Sequence, residues 1–115
     1  MWIQSPTFGF LSIVQKPGDS SKDVLTVRSR SRDHLQAFID LAPEPEAFKI
    51  QEGGGTDYAF RVKMPKTLVG QLLLESATNI NYSNFKNECH RTLDDNWCSV
   101  LSRFWSLHYD YQENG

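Results

Sequence analysis

At 115 residues, with a formal net charge of −2 and a pI near 5.9, the chain suits one folded core and gives no global sign of nucleic-acid or membrane binding. Its hydrophobic fraction of 39% and aromatic fraction of 12% are those of a globular protein, which excludes the disordered and fibrous classes. The longest apolar runs, such as 8–14, are far too short to span a bilayer, and no basic stretch precedes an apolar run at the N-terminus, so a cytoplasmic protein is expected.

The first element in chain order is "FGFLSIVQK" (8–16), rich in aromatic and β-branched residues, followed by the turn cluster "KPGDSSKD". "LTVRSRS" (25–31) then alternates strictly, so the two read as strands of a hairpin with a long loop. In "RDHLQAFIDLA", Leu35, Phe38, Ile39 and Ala42 recur at spacings of three and four, which predicts an amphipathic helix near 33–42, stopped by Pro43 and Pro45.

The second third repeats the order. "FKIQE" (48–52) reads as a short strand, "GGGTD" as a turn and "YAFRVKM" (58–64) as an alternating strand. A helix over 65–78 follows, with Pro65 in its first turn and Leu68, Val69, Leu72 and Leu73 on its apolar side. At an offset of 33, Leu25, Val27, Arg28, Arg30 and Leu35 fall on Tyr58, Phe60, Arg61, Lys63 and Leu68. The expected fold is α+β: a pseudo-symmetric ββα-ββα arrangement with a four-stranded, mostly antiparallel sheet and helices on one face. One domain over 1–115 is expected, with ββα units at about 8–45 and 46–79 and a helical segment at about 80–111.

The tail carries a helix pair. Ser83 offers an N-cap for a short helix with Phe85, Cys89 and Thr92 along one side. Asp94 and Asp95 suit the start of a second helix, near 95–110. There Trp97, Val100, Leu101, Phe104, Trp105 and His108 share a stripe. Its two tryptophans predict a helix that closes the core, with Trp105 buried and His108 partly so.

The stretches "FGFLSIVQKPGD" (8–19), "LTVRSRSR" (25–32), "GGTDYAFRVK" (54–63), "INYSNFK" (80–86) and "RFWSLHY" (103–109) run in order over nearly the whole chain. Together they resemble a small family of bacterial proteins with no established activity. The region between Lys86 and Arg103 departs most from it. The resemblance implies a self-contained domain and carries over no catalytic residue.

Catalytic chemistry finds little support. Cys89 and His90 are neighbours, so on a helix they point about 100° apart and cannot pair as nucleophile and base. Cys89, His90, Cys98 and His108 lack metal-ligand spacing, and neither a metal nor any cofactor is expected. With only two cysteines, reduced core thiols are expected, and the glycosylation pattern Asn81-Tyr82-Ser83 then has no role. "GGGT" (53–56) lacks the lysine of a phosphate-binding loop and joins two strands, as a hairpin turn does. Asp19, Asp23 and Asp57 read as turn residues, and His34 as a solvent-side helix residue.

The remaining pattern is basic. Alternation puts Leu25, Val27 and Ser29 on one face of their strand and Thr26, Arg28 and Arg30 on the other. In the later strand Tyr58, Phe60, Val62 and Met64 are expected toward the core, with Arg61 and Lys63 outward. The open face would then gather Arg28, Arg30, Arg61 and Lys63, three of them arginines suited to bidentate anion recognition. The bland alternative is a solvated surface, partly paired with acids such as Glu52, that discourages edge pairing. The expectation is a non-enzymatic binding or adaptor protein holding an acidic protein surface or an anionic ligand. The alternatives are sequence-nonspecific nucleic-acid binding, against which inward aromatics count, and an inhibitor or regulator of a larger complex acting through the tail helices. The oligomeric state is not legible.

Overall fold

The computed structural model describes residues 1–53 and 57–115. They form two compact units, Met1–Asn81, which holds the sheet, and the helical Tyr82–Gly115.

In the first unit, strands β1 (Trp2–Ser5), β2 (Gly9–Val14), β3 (Val24–Ser29), β4 (Gln51–Glu52) and β5 (Phe60–Pro65) form an antiparallel sheet in the order β1-β2-β3-β5-β4. Helix α1 (Arg32–Ile39) follows β3 and α2 (Lys66–Thr78) follows β5. The class is α+β. The two hairpins meet at β3 and β5, an order compatible with the expected symmetry. In that pairing Arg28 lies opposite Arg61, the same two residues that the offset of 33 superposes.

The sheet has five strands where the sequence predicts four, and the addition is β1. "WIQS" is too short to show a period, and what recruits it is the turn behind it. The Ser5 hydroxyl accepts from the Thr7 N–H at 3.0 Å, and Gly9 at φ +82° lets the chain return antiparallel, with Ser5 opposite Gly9. Strand β4 is shorter than expected, only Gln51 and Glu52 of 48–52, although Phe48 and Ile50 still pack against the core.

The core lies between one sheet face and the two helices. Leu11, Ile13, Val27, Val62 and Met64 meet Leu35, Phe38, Ile39 and Ala42 from the α1 segment and Val69 and Leu72 from α2. Ser31 caps α1, accepting from the His34 N–H at 3.3 Å. His34 departs from its expected solvent side. Its ring is buried against Gly9, and Nδ1 accepts from the Phe10 N–H at 3.2 Å. Gly9 has no side chain, and that vacancy is what admits the ring.

In the second unit, α3 (Phe85–Thr92) and α4 (Asp95–Asn114) pack through Cys89, Cys98 and Leu101, flanked by Leu93, Trp97 and Phe104. Asn84, one residue beyond the expected Ser83, caps α3 by accepting from the Asn87 N–H at 2.9 Å. Asp94 caps α4 as expected, accepting from the Trp97 N–H at 2.7 Å. Two expectations for α4 fail: Trp105 is 52% exposed and His108 is exposed. The reason is length. Eight residues of α3 extend about 12 Å, while the twenty of α4 extend about 30 Å, so only the first part of the apolar stripe finds cover on α3. Among the described residues, no helix is long and apolar enough to cross a membrane.

Candidate functional site

The sheet face turned away from α1 and α2 carries a row of residues paired in turn across all five strands: Trp2, Ser12, Arg28, Arg61 and Gln51. Neighbouring strands lie about 4.8 Å apart, so the two arginines occupy adjacent places in this row. The next row holds Thr26 opposite Lys63. Arg28, Arg61 and Lys63 therefore share the face that alternation assigns to them, and Arg30 joins them through Tyr58.

Tyr58 organises the centre of the site, and its position corrects the sequence reading. It precedes β5, is only 4% exposed, and sits under the arginines instead of in the helix-covered core. The guanidinium carbons of Arg28 and Arg30 lie 4.5 and 4.3 Å from its ring centroid. Burial alone would raise the phenol's pKa. Hydrogen bonds with Ser12 and Arg30, with the charges of Arg30 and Arg28, outweigh it and hold the pKa below its ordinary value of 10. Ser12 is itself buried and also accepts from Arg28 Nη2 at 2.7 Å. Arg28, Ser12 and Tyr58 thus form a linked polar group beneath Arg30, which is exposed.

The other two cations are differently engaged. Arg61 Nη2 donates to the carbonyls of Gly53 at 2.8 Å and Tyr58 at 2.9 Å, so it braces the backbone that presents Tyr58. Lys63 Nζ forms an ion pair with Asp19 and donates to Thr26 Oγ1 at 3.3 Å. The acid that pairs with Lys63 is thus Asp19. Asp19 is a turn residue only in part: it is 1% exposed, and its Oδ2 accepts from the Lys16 N–H and the Thr26 hydroxyl, both at 2.8 Å. Lys63 foremost, then these two bonds, hold its carboxyl at a pKa of about 2 against the opposing effect of burial. The Asp19 charge cancels that of Lys63, which leaves Arg28, Arg30 and Arg61 as the positive set.

Sequence reasoning missed Asp19, Ser12, Tyr58 and Trp2 as parts of this face. Only Trp2 had a readable signal, an aromatic two residues from Gln4 on a short extended run. It is 67% exposed and meets Phe10 edge-on at 5.5 Å.

Elsewhere, Cys89 and Cys98 are free, buried thiols, and burial pushes Cys89 up to about 11, which makes it a poor nucleophile. Among the described residues, no three His, Cys, Asp or Glu side chains group as a metal site. Of "GGGT", residues 54–56 lie outside the described residues. Gly53 has φ +85°, as a turn requires. Compared with known proteins, the chain matches no family model, no curated protein and no solved structure.

Proposed function

We propose that this is a cytoplasmic, non-enzymatic binding protein whose arginine face holds an acidic surface of a partner protein. The observation that carries the proposal is the shared stacking of Arg28 and Arg30 on the buried Tyr58 ring, with Arg61 opposite Arg28. Guanidiniums fixed on a buried ring lose little entropy on binding, and their planar forks suit carboxylates. Each charge-assisted contact contributes about 1.5–3 kcal/mol when desolvated and much less at a wet rim.

The test is titration of a fluorescent decaglutamate peptide and, separately, of a labelled single-stranded oligonucleotide. Arg30→Glu, at an exposed position, is expected to weaken peptide binding at least tenfold, while reversal of the exposed Lys16 and Lys22 leaves it unchanged. Unchanged affinity in Arg30→Glu overturns the reading. Tighter binding of the oligonucleotide than of the peptide, with a steep loss on adding salt, replaces it with nucleic-acid binding.

A second reading, docking of a larger complex on the tail, is favoured by one observation. Trp105 and Tyr109 are exposed yet stacked at 5.2 Å, with Lys86 Nζ 4.8 Å above the tryptophan ring, and exposed aromatics of this kind mark contact surfaces.

A further inference from the structure

The two edges of the sheet are not alike. Strand β4 is two residues long and carries Glu52, with Lys49 just before it, so length and charge both protect it. Strand β1 is four residues, Trp-Ile-Gln-Ser, without a charge, a proline or a bulge, and Trp2 at its start is largely exposed. Such an edge offers its unpaired backbone groups to another strand.

Which groups it offers follows from the ladder. Met1 and Ile13 exchange both backbone bonds, each at 2.8 Å, so they are a hydrogen-bonded pair of the β1–β2 ladder. Pairs alternate along antiparallel strands, so Ile3 opposite Leu11 and Ser5 opposite Gly9 are also bonded pairs. Trp2 and Gln4 lie between them. Their N–H and C=O groups therefore point away from β2, and among the described residues no backbone hydrogen bond takes them up.

We propose that this edge pairs with β1 of a second copy of the chain, antiparallel and about a two-fold axis through Ile3. In that register Trp2 of each copy faces Gln4 of the other. All four outward N–H groups and all four outward carbonyls are then used, in four backbone hydrogen bonds. The backbone groups alone would accept any extended strand; the side chains select a second copy, because an uncharged edge with Ile3 at its centre meets the same edge, Ile3 against Ile3 and Trp2 against Gln4. The side chains agree. Ile3, already packed on the core, meets its own symmetry mate on the helix-covered side, and no like charges face each other. The result is a ten-stranded sheet. Its axis runs normal to the sheet, so both arginine faces look the same way. The pairing does not depend on what those faces bind.

A seam of four residues is small, so the dimer is a concentration-dependent one. Sedimentation equilibrium of the C-terminally tagged protein, from micromolar to near-millimolar concentration, is expected to show the mass rising from that of a monomer toward twice it. Gln4→Pro removes one outward N–H and leaves the β1–β2 ladder intact, because the Gln4 N–H does not enter that ladder. It is expected to weaken association at least tenfold with an unchanged circular dichroism spectrum. Trp2→Lys, which places a charge on the edge, is expected to do the same. Amide exchange is the second readout: protection at Trp2 and Gln4 should grow with protein concentration. A monomer at every concentration overturns the proposal, as does a dimer that Gln4→Pro and Trp2→Lys both leave intact.

Discussion

Arg28 and Arg61 stand opposite each other on β3 and β5, and their guanidiniums engage different parts of the same residue, one over the Tyr58 ring and the other at the Tyr58 carbonyl. Like charges directly across two strands repel. Here the pair is tolerated because the ring accepts one cation and two carbonyls accept the other. Tyr58 is therefore the support on which the whole cationic face rests.

Removing that support separates ring from hydroxyl. Tyr58→Phe keeps the ring and loses the bond with Ser12, so it should cost about 1 kcal/mol in a urea melt. Tyr58→Ala leaves a cavity and strips two guanidiniums of their platform, so about 3–5 kcal/mol is expected. Equal costs for the two variants would mean that the ring carries no special load.

Asp19 ties stability to pH. Its carboxyl titrates at about 2 in the folded chain, below its ordinary 3.8, because Lys63 and two further donors hold the charged form. The lowered value means that the folded state binds the proton less readily than the unfolded state. This contribution is complete above about pH 5 and is lost as the pH falls from about 4 toward 2. Urea midpoints at pH 7, 4 and 2.5 should trace that decline in wild type. Asp19→Asn should be less stable at neutral pH and show a shallower acid limb; parallel curves would exclude the linkage.

The sequence reveals those parts of the fold that have a period. The stripes of α1 and α2 and the alternation of β3 and β5 are readable because each buries one face on one core, and the outward set Arg28, Arg61 and Lys63 follows from the same alternation. What the sequence hides depends on a distant partner. Tyr58 lies outside β5, so strand parity does not govern it, and Arg28 and Arg30 decide its place. Asp19 looks like any loop acid until β5 brings Lys63 to it, 44 residues away. His34 appears polar and outward, and only the missing side chain of Gly9 on β2 lets it turn in.

Gly9 and Gly18 share a left-handed backbone, at φ +82° and +90°, and differ in what surrounds them. A Cβ on Gly9 would stand 2.5–2.6 Å from three His34 ring atoms, whereas a Cβ on Gly18 meets nothing within 4 Å. Gly18→Ala should therefore cost only the backbone strain, about 1–2 kcal/mol. Gly9→Ala must also expel the imidazole and break its bond from the Phe10 N–H, so thermal melts should show a clearly larger loss, about 3 kcal/mol or more. If Gly9→Ala with His34→Ala recovers to the level of His34→Ala plus strain alone, the contact is the cause. Equal losses for the two glycines would place His34 away from Gly9.

The last contrast lies on α4. Leu101 is buried in one cluster with Cys89 and Cys98, while Trp105, one turn further on, is half exposed and stacks on Tyr109 with Lys86 above it. Size alone would make the tryptophan the costlier loss. Burial reverses the order, because only area removed from water by folding contributes. Leu101→Ala should cost about 2–5 kcal/mol, and Trp105→Ala less than about 1, from the stacking and cation–π contacts it gives up. Urea melts of the two variants decide the matter. Should Trp105→Ala prove the more damaging, the stripe that carries both residues is buried further along α4 than α3 reaches, and the exposed aromatic surface assigned to the tail would not exist.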